Sequence, residues 1–429
     1  MSFLRRLAAG VPSGALVAIA AWVPLQYLPT RQFKLLPRAA VWTDEALLLL
    51  LAGLAAVAAW RRPSQGRMPV LLPLSAFVAI AVVSAIVNGT SLVELTLGLR
   101  APLQCALLAF VLALLDVPRR DLARLAAITV ALGALQAPFA IWQLAATHDL
   151  VSRDEVVGTM WRGASNSLAY FLFIVMLPLA GYWLRRPRPR WPLAALAAMM
   201  IPFVFCSSRG AYYLAPVVIV VTFWDQLRTN RRLQGLLAGA VLLAAVLFAV
   251  FYAVKPQSPG SEIDGEVSPS RIVREQLDPR GAMGRLYYFR YLTELLWNRG
   301  TSAVLVGVGP ARFSSTSGAY LGAPLLAEAT RGAHSPIIPS QIIATLAEFG
   351  VLGLAALGLA VVAGVQTLRR AATTLHDPGL RGWAEGAVGA GLFFLLATPL
   401  DNVWELQHVA YYFWGMVGAA TVELRRRTP

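Results

Sequence analysis

Long apolar runs recur along the whole 429-residue chain, and most approach the length that a helix needs to cross a bilayer. A transmembrane helix requires about 20 consecutive, mostly apolar residues. Only 14% of the residues are charged, against about 25% in typical soluble domains. The sequence therefore predicts an all-α polytopic membrane protein with about twelve transmembrane helices. The predicted spans are residues 12–29, 45–60, 69–87, 97–116, 123–146, 165–184, 191–206, 210–225, 235–254, 337–367, 383–400 and 406–422.

The basic residues alternate with the spans. Every second short connection is rich in arginine, as in "RRPSQGR", "PRRDLAR" and "RRPRPR", whereas the intervening "NGTS", "SSRG" and "TPLDNVWELQH" hold one arginine between them. This is the positive-inside pattern, which predicts that both termini are cytoplasmic. Topology thus explains much of the net charge of +15, and we expect no nucleic-acid partner.

The predicted spans divide the chain into three parts. Residues 1–254 hold spans one to nine, residues 255–336 form a large loop on the outer side, and residues 337–429 hold spans ten to twelve and a cytoplasmic tail. The loop begins with a Pro-, Ser- and Gly-rich stretch that is typical of a flexible flap. "GRLYYFRYLTELLWNRG" follows, with an apolar periodicity that predicts an amphipathic helix suited to the membrane surface. Its apolar positions are Leu286, Phe289, Leu292, Leu296 and Trp297.

Arginines on the outer side are candidates for anion binding, because the planar guanidinium suits phosphate better than lysine does. Arg209 occupies the very tight turn "SSRG" between two spans. A diphosphate on a lipid carrier would suit such a set, although arginines at a membrane boundary also reach lipid headgroups without any further function. The loop contributes Arg271, Arg274, Arg280, Arg285, Arg290, Arg299, Arg312 and Arg331.

His334 lies in "GAHSPII", just before the tenth span. A neutral imidazole there can accept a proton from a hydroxyl nucleophile, although a lone histidine at such a junction is commonly structural. Asp401 in "TPLDN" could orient a histidine or an arginine, or simply cap a turn. The acidic stretch "EIDGE" resembles a hard-metal site, but its Pro-, Ser- and Gly-rich surroundings favour a solvated patch. We therefore expect neither a metal site nor a cofactor.

Three segments appear in a characteristic order. "SSRGAYY" follows a span, "GRLYYFRYLTELLWNRGTSAVLVGVGPARF" lies in the large loop, and "HSPIIPSQIIATLAEFGVLGL" opens the next span. In this order, and on this side of the membrane, they resemble the O-antigen ligase and polymerase superfamily of bacterial inner-membrane glycosyltransferases. "WRGASNSLAYF" is similar to another superfamily segment, through Gly163 and Asn166. The resemblance covers about residues 155–365 and implies a GT-C-like helical fold.

The resemblance also implies roles for individual residues. His334 corresponds to the proposed catalytic histidine, whereas Arg209, Arg285 and Arg290 correspond to arginines expected to bind the diphosphate. Many relatives carry asparagine directly after the histidine, but this chain has Ser335. The local geometry around the histidine is therefore not defined by the resemblance.

By this resemblance, the protein would transfer an O-antigen glycan from undecaprenyl diphosphate to a sugar hydroxyl of lipid A–core, which completes lipopolysaccharide. The active site would face the periplasm, and membrane lipids would surround it. An O-antigen polymerase and a protein O-oligosaccharyltransferase would use the same donor with other acceptors. A transporter or flippase of lipid-linked glycans is less consistent with the sequence, because the middles of the spans hold almost no charge.

Overall fold

The computed structural model describes residues 2–37, 40, 42–61, 68–146, 156–160, 165–186, 189–206, 208–231, 234–235, 285–313, 340–404 and 406–426. These parts of the chain are helical and contain no β-strand. The first eight helices are α1 (Ser2–Leu25), α2 (Thr43–Arg61), α3 (Leu71–Val87), α4 (Leu92–Leu114), α5 (Arg119–Ala146), α6 (Ser165–Arg185), α7 (Trp191–Phe205) and α8 (Arg209–Thr229). The others described are α9 (Arg285–Arg299), α10 (Thr301–Val306), α11 (Gln341–Thr374), α12 (Pro378–Ala397) and α13 (Gln407–Arg425).

Six of the described helices are long and apolar enough to cross a membrane, as the sequence predicts for a membrane-embedded protein. They are α4, α5, α6, α8, α11 and α12. Three shorter apolar helical stretches lie in α1, α3 and α7. The predicted span 235–254 lies outside the described residues except for its first residue. By the predicted orientation, the α3–α4, α7–α8 and α12–α13 connections lie at the outer end of the bundle.

Helix α6 is the centre of the bundle. Residues 167–179 are buried on every side of this helix, the distribution expected of a helix that is apolar all round. Its closest neighbour is α12, where a Cβ atom added to Gly382 would lie only 2.1 Å from the carbonyl oxygen of Gly181. Small residues allow helix backbones to approach in this way within a membrane. The two glycines therefore fix the α6–α12 crossing.

A buried polar cluster joins α2, α4 and α13. The Asp44 side chain is fully buried. Its Oδ2 accepts hydrogen bonds from Gln104 Nε2 at 3.3 Å and from the Tyr411 hydroxyl at 3.2 Å. The neighbouring Glu45 forms an ion pair with Arg100 of α4. A buried carboxylate needs such partners, so the cluster fixes how these helices sit against one another.

Candidate functional site

The α7–α8 turn holds the backbone of Arg209 in a defined place. Arg209 is the first residue of α8, and the hydroxyl of Ser208 caps the helix by accepting a hydrogen bond from the backbone N–H of Ala211 at 3.4 Å. The Tyr212 hydroxyl donates to the carbonyl oxygen of Val204 at 2.5 Å, which closes the turn from the other side. The side chain of Arg209 lies outside the described part of the structure. The turn nevertheless fixes where that side chain begins.

Arg209 lies beside α6. A Cβ atom added to Gly210 would lie 2.6 Å from the Tyr170 hydroxyl, so α8 begins directly against that helix. The Tyr170 ring packs edge-on against Phe393 of α12, with 5.3 Å between the ring centroids. Phe393 lies one turn before the end of α12 at Ala397. The start of α8 and the end of α12 therefore share the outer end of the bundle.

The predicted amphipathic helix is present as α9, which begins at Arg285 and carries Arg290 between one and two turns later. Its buried face differs in part from the predicted one, because Phe289 is 44% exposed and Trp297 is 79% exposed. Leu295, which the sequence pattern did not single out, is fully buried. Among the described side chains of α9, the buried ones are Leu292, Leu295 and Leu296.

This leucine face docks α9 onto the protein. It packs against Ala303, Val308 and Phe313, and against Ile343 and Ala347 in the first two turns of α11. Burial of this kind is the main favourable term that holds a short helix in place. The helix that carries Arg285 and Arg290 thus lies next to the start of α11, although neither arginine side chain is described.

Helix α11 is interrupted in its first half, and the segment that follows α10 binds at this interruption. Gly350 has a φ of +67° and interrupts α11, so carbonyl groups before it lose their helical partners. Two backbone N–H groups replace those partners: Val308 donates to Ala347 O at 2.8 Å, and Gly309 donates to Glu348 O at 3.3 Å. Residues 307–313, termed the strap, are therefore hydrogen-bonded directly to the interior of α11.

Arg312 ties the strap to the α3–α4 turn. Its guanidinium group donates to the carbonyl oxygens of Asn88 at 2.6 Å and Gly89 at 2.8 Å. It also pairs with Glu94 in the first turn of α4, with Nε at 3.2 Å from Oε1. The amide of Asn88 donates in turn to the Gly307 carbonyl at 3.1 Å. Arg312 was one of the predicted anion-binding arginines of the loop, and these contacts give it an anchoring role.

Asp401 lies where α11 begins. Its backbone carbonyl accepts a hydrogen bond from the backbone N–H of Gln341 at 3.2 Å. Its carboxylate Oδ1 accepts from the N–H of Asn402 at 2.8 Å, as in a local capping turn. These contacts are those of a turn cap, and the role of orienting a histidine or an arginine stays a prediction. His334 precedes Gln341 by seven residues and lies outside the described part of the chain.

Two buried amides at this place were not singled out from the sequence. Gln341 is 6% exposed and Asn402 is 8% exposed. Among the residues that the structure describes, Oε1 of Gln341 and Oδ1 of Asn402 have no hydrogen-bond partner. Unbonded buried oxygens are costly, and in a functional site they indicate a missing hydroxyl or water. The sequence signal that could have indicated Gln341 is a polar residue near the start of an apolar span.

At the end of the bundle that is predicted to face outward, Asp401 contacts the first turn of α11, and the backbone of Arg209 lies beside α6 near the end of α12. The structure leaves Gly163 undescribed, and Asn166 lies in the first turn of α6 with an exposed side chain. Residues of the "EIDGE" stretch are likewise outside the described parts. Comparisons with models of known protein families and with curated proteins give no match for this chain.

Proposed function

We propose that the protein is a metal-independent, inverting glycosyltransferase of the O-antigen ligase type. It has about twelve transmembrane helices in a GT-C-like fold, lies in a bacterial inner membrane, and has a periplasmic active site. Its donor is a glycan on undecaprenyl diphosphate, and its acceptor is a sugar hydroxyl of lipid A–core. This reaction is proposed because the three sequence segments resemble those of the O-antigen ligase and polymerase superfamily.

One structural observation carries the proposal. The leucine face of α9 and the strap fix the arginine-bearing helix against the first turns of α11. The chain that leads into α11 contains His334, and the α12–α13 connection beside it contains Asp401. In this proposal, a candidate base and candidate diphosphate ligands from distant parts of the sequence act together at this end of the bundle. Transfer between two lipid-linked substrates needs such a site at the membrane boundary.

The chemistry follows from these residues. The imidazole of His334 removes the proton from the acceptor hydroxyl, whose oxygen then forms a bond to the anomeric carbon of the donor sugar. The bond between that carbon and the carrier diphosphate breaks on the opposite face, which inverts the anomeric configuration. Arg209, Arg285 and Arg290 stabilise the negative charge on the leaving diphosphate. A diphosphate is already a good leaving group, so guanidinium groups can serve where other enzymes use a metal.

Reconstitution tests the proposal. The purified protein is mixed with carrier-linked glycan and lipid A–core, with chelator present and nucleotide absent, and glycan transfer is followed over time. His334→Ala should abolish transfer, whereas His376→Ala, on the exposed inner side, should retain it. Wild-type rates in the His334 variant would rule out the general-base role. Loss of wild-type activity in chelator would point to a metal instead.

The same experiment separates the related acceptors. A second carrier-linked glycan or an acceptor protein replaces lipid A–core in parallel reactions. Elongation of the glycan would identify a polymerase, and transfer to a serine or threonine would identify a protein O-oligosaccharyltransferase. Movement of the lipid-linked glycan across vesicles without any transfer would indicate a flippase.

A further inference from the structure

A cavity of about 390 Å³ is lined mainly by α1, α4, α5, α6 and α13. Its floor is formed by buried apolar side chains of α4 and α6, including Leu112, Ile174 and Leu179. Its α5 wall contains Ala123 and Ala126, which are exposed. The volume lies in the range of small-molecule sites. The lining therefore fits a flexible hydrocarbon chain and offers almost nothing to a sugar or a nucleotide.

The cavity is long and begins at the inner end of the bundle. Along α13 its lining extends from Glu423, in the last turn, to Tyr411. That stretch rises about 18 Å along the helix axis. One leaflet of a bilayer contributes about 15 Å of hydrocarbon, half of the roughly 30 Å core. The cavity thus has the depth of one acyl chain held in the inner leaflet.

The mouth of the cavity carries an ion pair. Arg119 lines it, with a side chain that is 58% exposed and an NH2 group 2.5 Å from Glu423 Oε2. Trp191 and Trp383 also line the cavity, and aromatic rings of this kind favour the headgroup level. Arg120 and Arg190 directly adjoin the lining residues Arg119 and Trp191 in the sequence but do not line the cavity themselves. Both are exposed and form no salt bridge with another described residue.

We propose that this cavity binds one anionic phospholipid from the cytoplasmic leaflet. The acyl chain fills the apolar interior, and the phosphate lies against the exposed Arg120 and Arg190 beside the mouth, because guanidinium groups bind phosphate oxygens well. A second copy of the chain would need a broad, flat apolar face, whereas this site is a narrow concavity with a charged rim. The proposal rests on the cavity, the neighbouring arginines and the predicted orientation, and it is independent of the glycosyltransferase function.

Lipid binding by the purified, delipidated full-length protein tests this site. Phosphatidylglycerol or phosphatidylcholine is added in detergent, and retained lipid is counted by native mass spectrometry while the Tm is measured. We expect phosphatidylglycerol to be retained and to raise the Tm, with little effect of phosphatidylcholine. The double variant Arg120→Gln/Arg190→Gln should weaken binding roughly fivefold per arginine removed. Arg228→Gln, at the inner end of α8, is the matched control.

Filling the cavity provides the second test. Ala419→Phe places a large ring among the lining residues and should abolish lipid retention. Ala126→Leu, on the exposed wall, should weaken retention even if the first variant does not fold. Ala131→Leu is the matched control, because Ala131 is exposed on the same helix but does not line the cavity. Equal retention of both lipids, or undiminished retention in Ala126→Leu, would overturn the proposal.

Discussion

Gly307 and Gly350 hold the strap and α11 in backbone-to-backbone contact. A Cβ atom on Gly307 would lie 2.3 Å from the carbonyl oxygen of Glu348, and one on Gly350 would lie 2.3 Å from that of Leu305. Both glycines have positive φ angles, +79° and +67°. Each position therefore combines a positive φ with a backbone contact too close for a Cβ atom, and only glycine allows both. The position of the loop helix α9 depends on these two glycines.

Substitution of Gly350 tests this contact. Gly350→Ala should destabilise the protein by about 1–3 kcal/mol through backbone strain, with a further cost from the clash with Leu305. The strap would lose its place on α11, so glycan transfer should fall together with the Tm. Thermal unfolding and the transfer assay measure the two effects.

The matched control is Gly358, in the same helix. A Cβ atom there meets nothing within 4 Å, and its φ is not positive. Gly358→Ala should leave the Tm unchanged or raise it, because alanine favours a helix by up to about 1 kcal/mol over glycine. Equal destabilisation by the two substitutions would contradict the role given to Gly350.

Arg312 distinguishes an anchoring arginine from a substrate-binding one. Arg312→Lys removes the planar group that bonds two carbonyl oxygens and Glu94 at once, so α9 should be displaced. Glycan transfer should fall by up to about a hundredfold, the loss that small misplacements of catalytic groups can cause. The readouts are turnover and the KM for the donor.

Glu94→Gln separates the two explanations. If Arg312 is an anchor, Glu94→Gln should impair transfer in the same direction, and the double variant should lose less than the sum of the single losses. If Arg312 binds the donor diphosphate, removal of the competing carboxylate should leave donor affinity unchanged or improve it. An improved donor KM in Glu94→Gln would therefore reassign Arg312 to the substrate.

The diphosphate role of Arg209 and Arg285 predicts sensitivity to a charge-conserving change. Lysine keeps the positive charge but loses the bidentate geometry. Arg209→Lys and Arg285→Lys should each lower transfer by about tenfold to a hundredfold, less than the roughly 10²–10³ lost when a charge-stabilising donor is removed altogether. Arg299→Lys, at the end of α9, should stay close to wild type. Full activity in both lysine variants would exclude bidentate binding at these positions.

Most of the helices were predictable because a long apolar run is a local property of the sequence. Even so, α5 begins at Arg119, before its predicted span at 123, and α11 continues to Thr374, beyond 367. Both extensions contain arginine, which a helix accepts readily but an apolar span does not. Helix length and membrane span are therefore different quantities, and hydropathy predicts only the second.

The buried face of α9 and the break in α11 were not predictable in detail. Trp297 fits the helical periodicity, but the docking surface selects Leu295 instead. Gly350 is one of several glycines in α11, and only its contact with Leu305 distinguishes it from Gly358. Which residue is buried and which glycine interrupts the helix depend on contacts with residues distant in the sequence, and a local sequence pattern does not contain that information.

Gln341 carries the last prediction. Its Nε2 donates to the Thr345 hydroxyl at 3.2 Å, but its buried Oε1 has no hydrogen-bond partner within the described parts of the chain. Gln341→Met keeps the shape and removes the unbonded oxygen, so the Tm should be unchanged or higher. If that oxygen accepts a hydrogen bond from a hydroxyl of a bound sugar, transfer should fall by about tenfold.

The matched control is Gln104→Met. The amide of Gln104 bonds Asp44 and Tyr411, so this substitution should cost about 1–3 kcal/mol of stability while the donor KM is retained. A Gln341 variant that loses stability but not activity would make the amide structural.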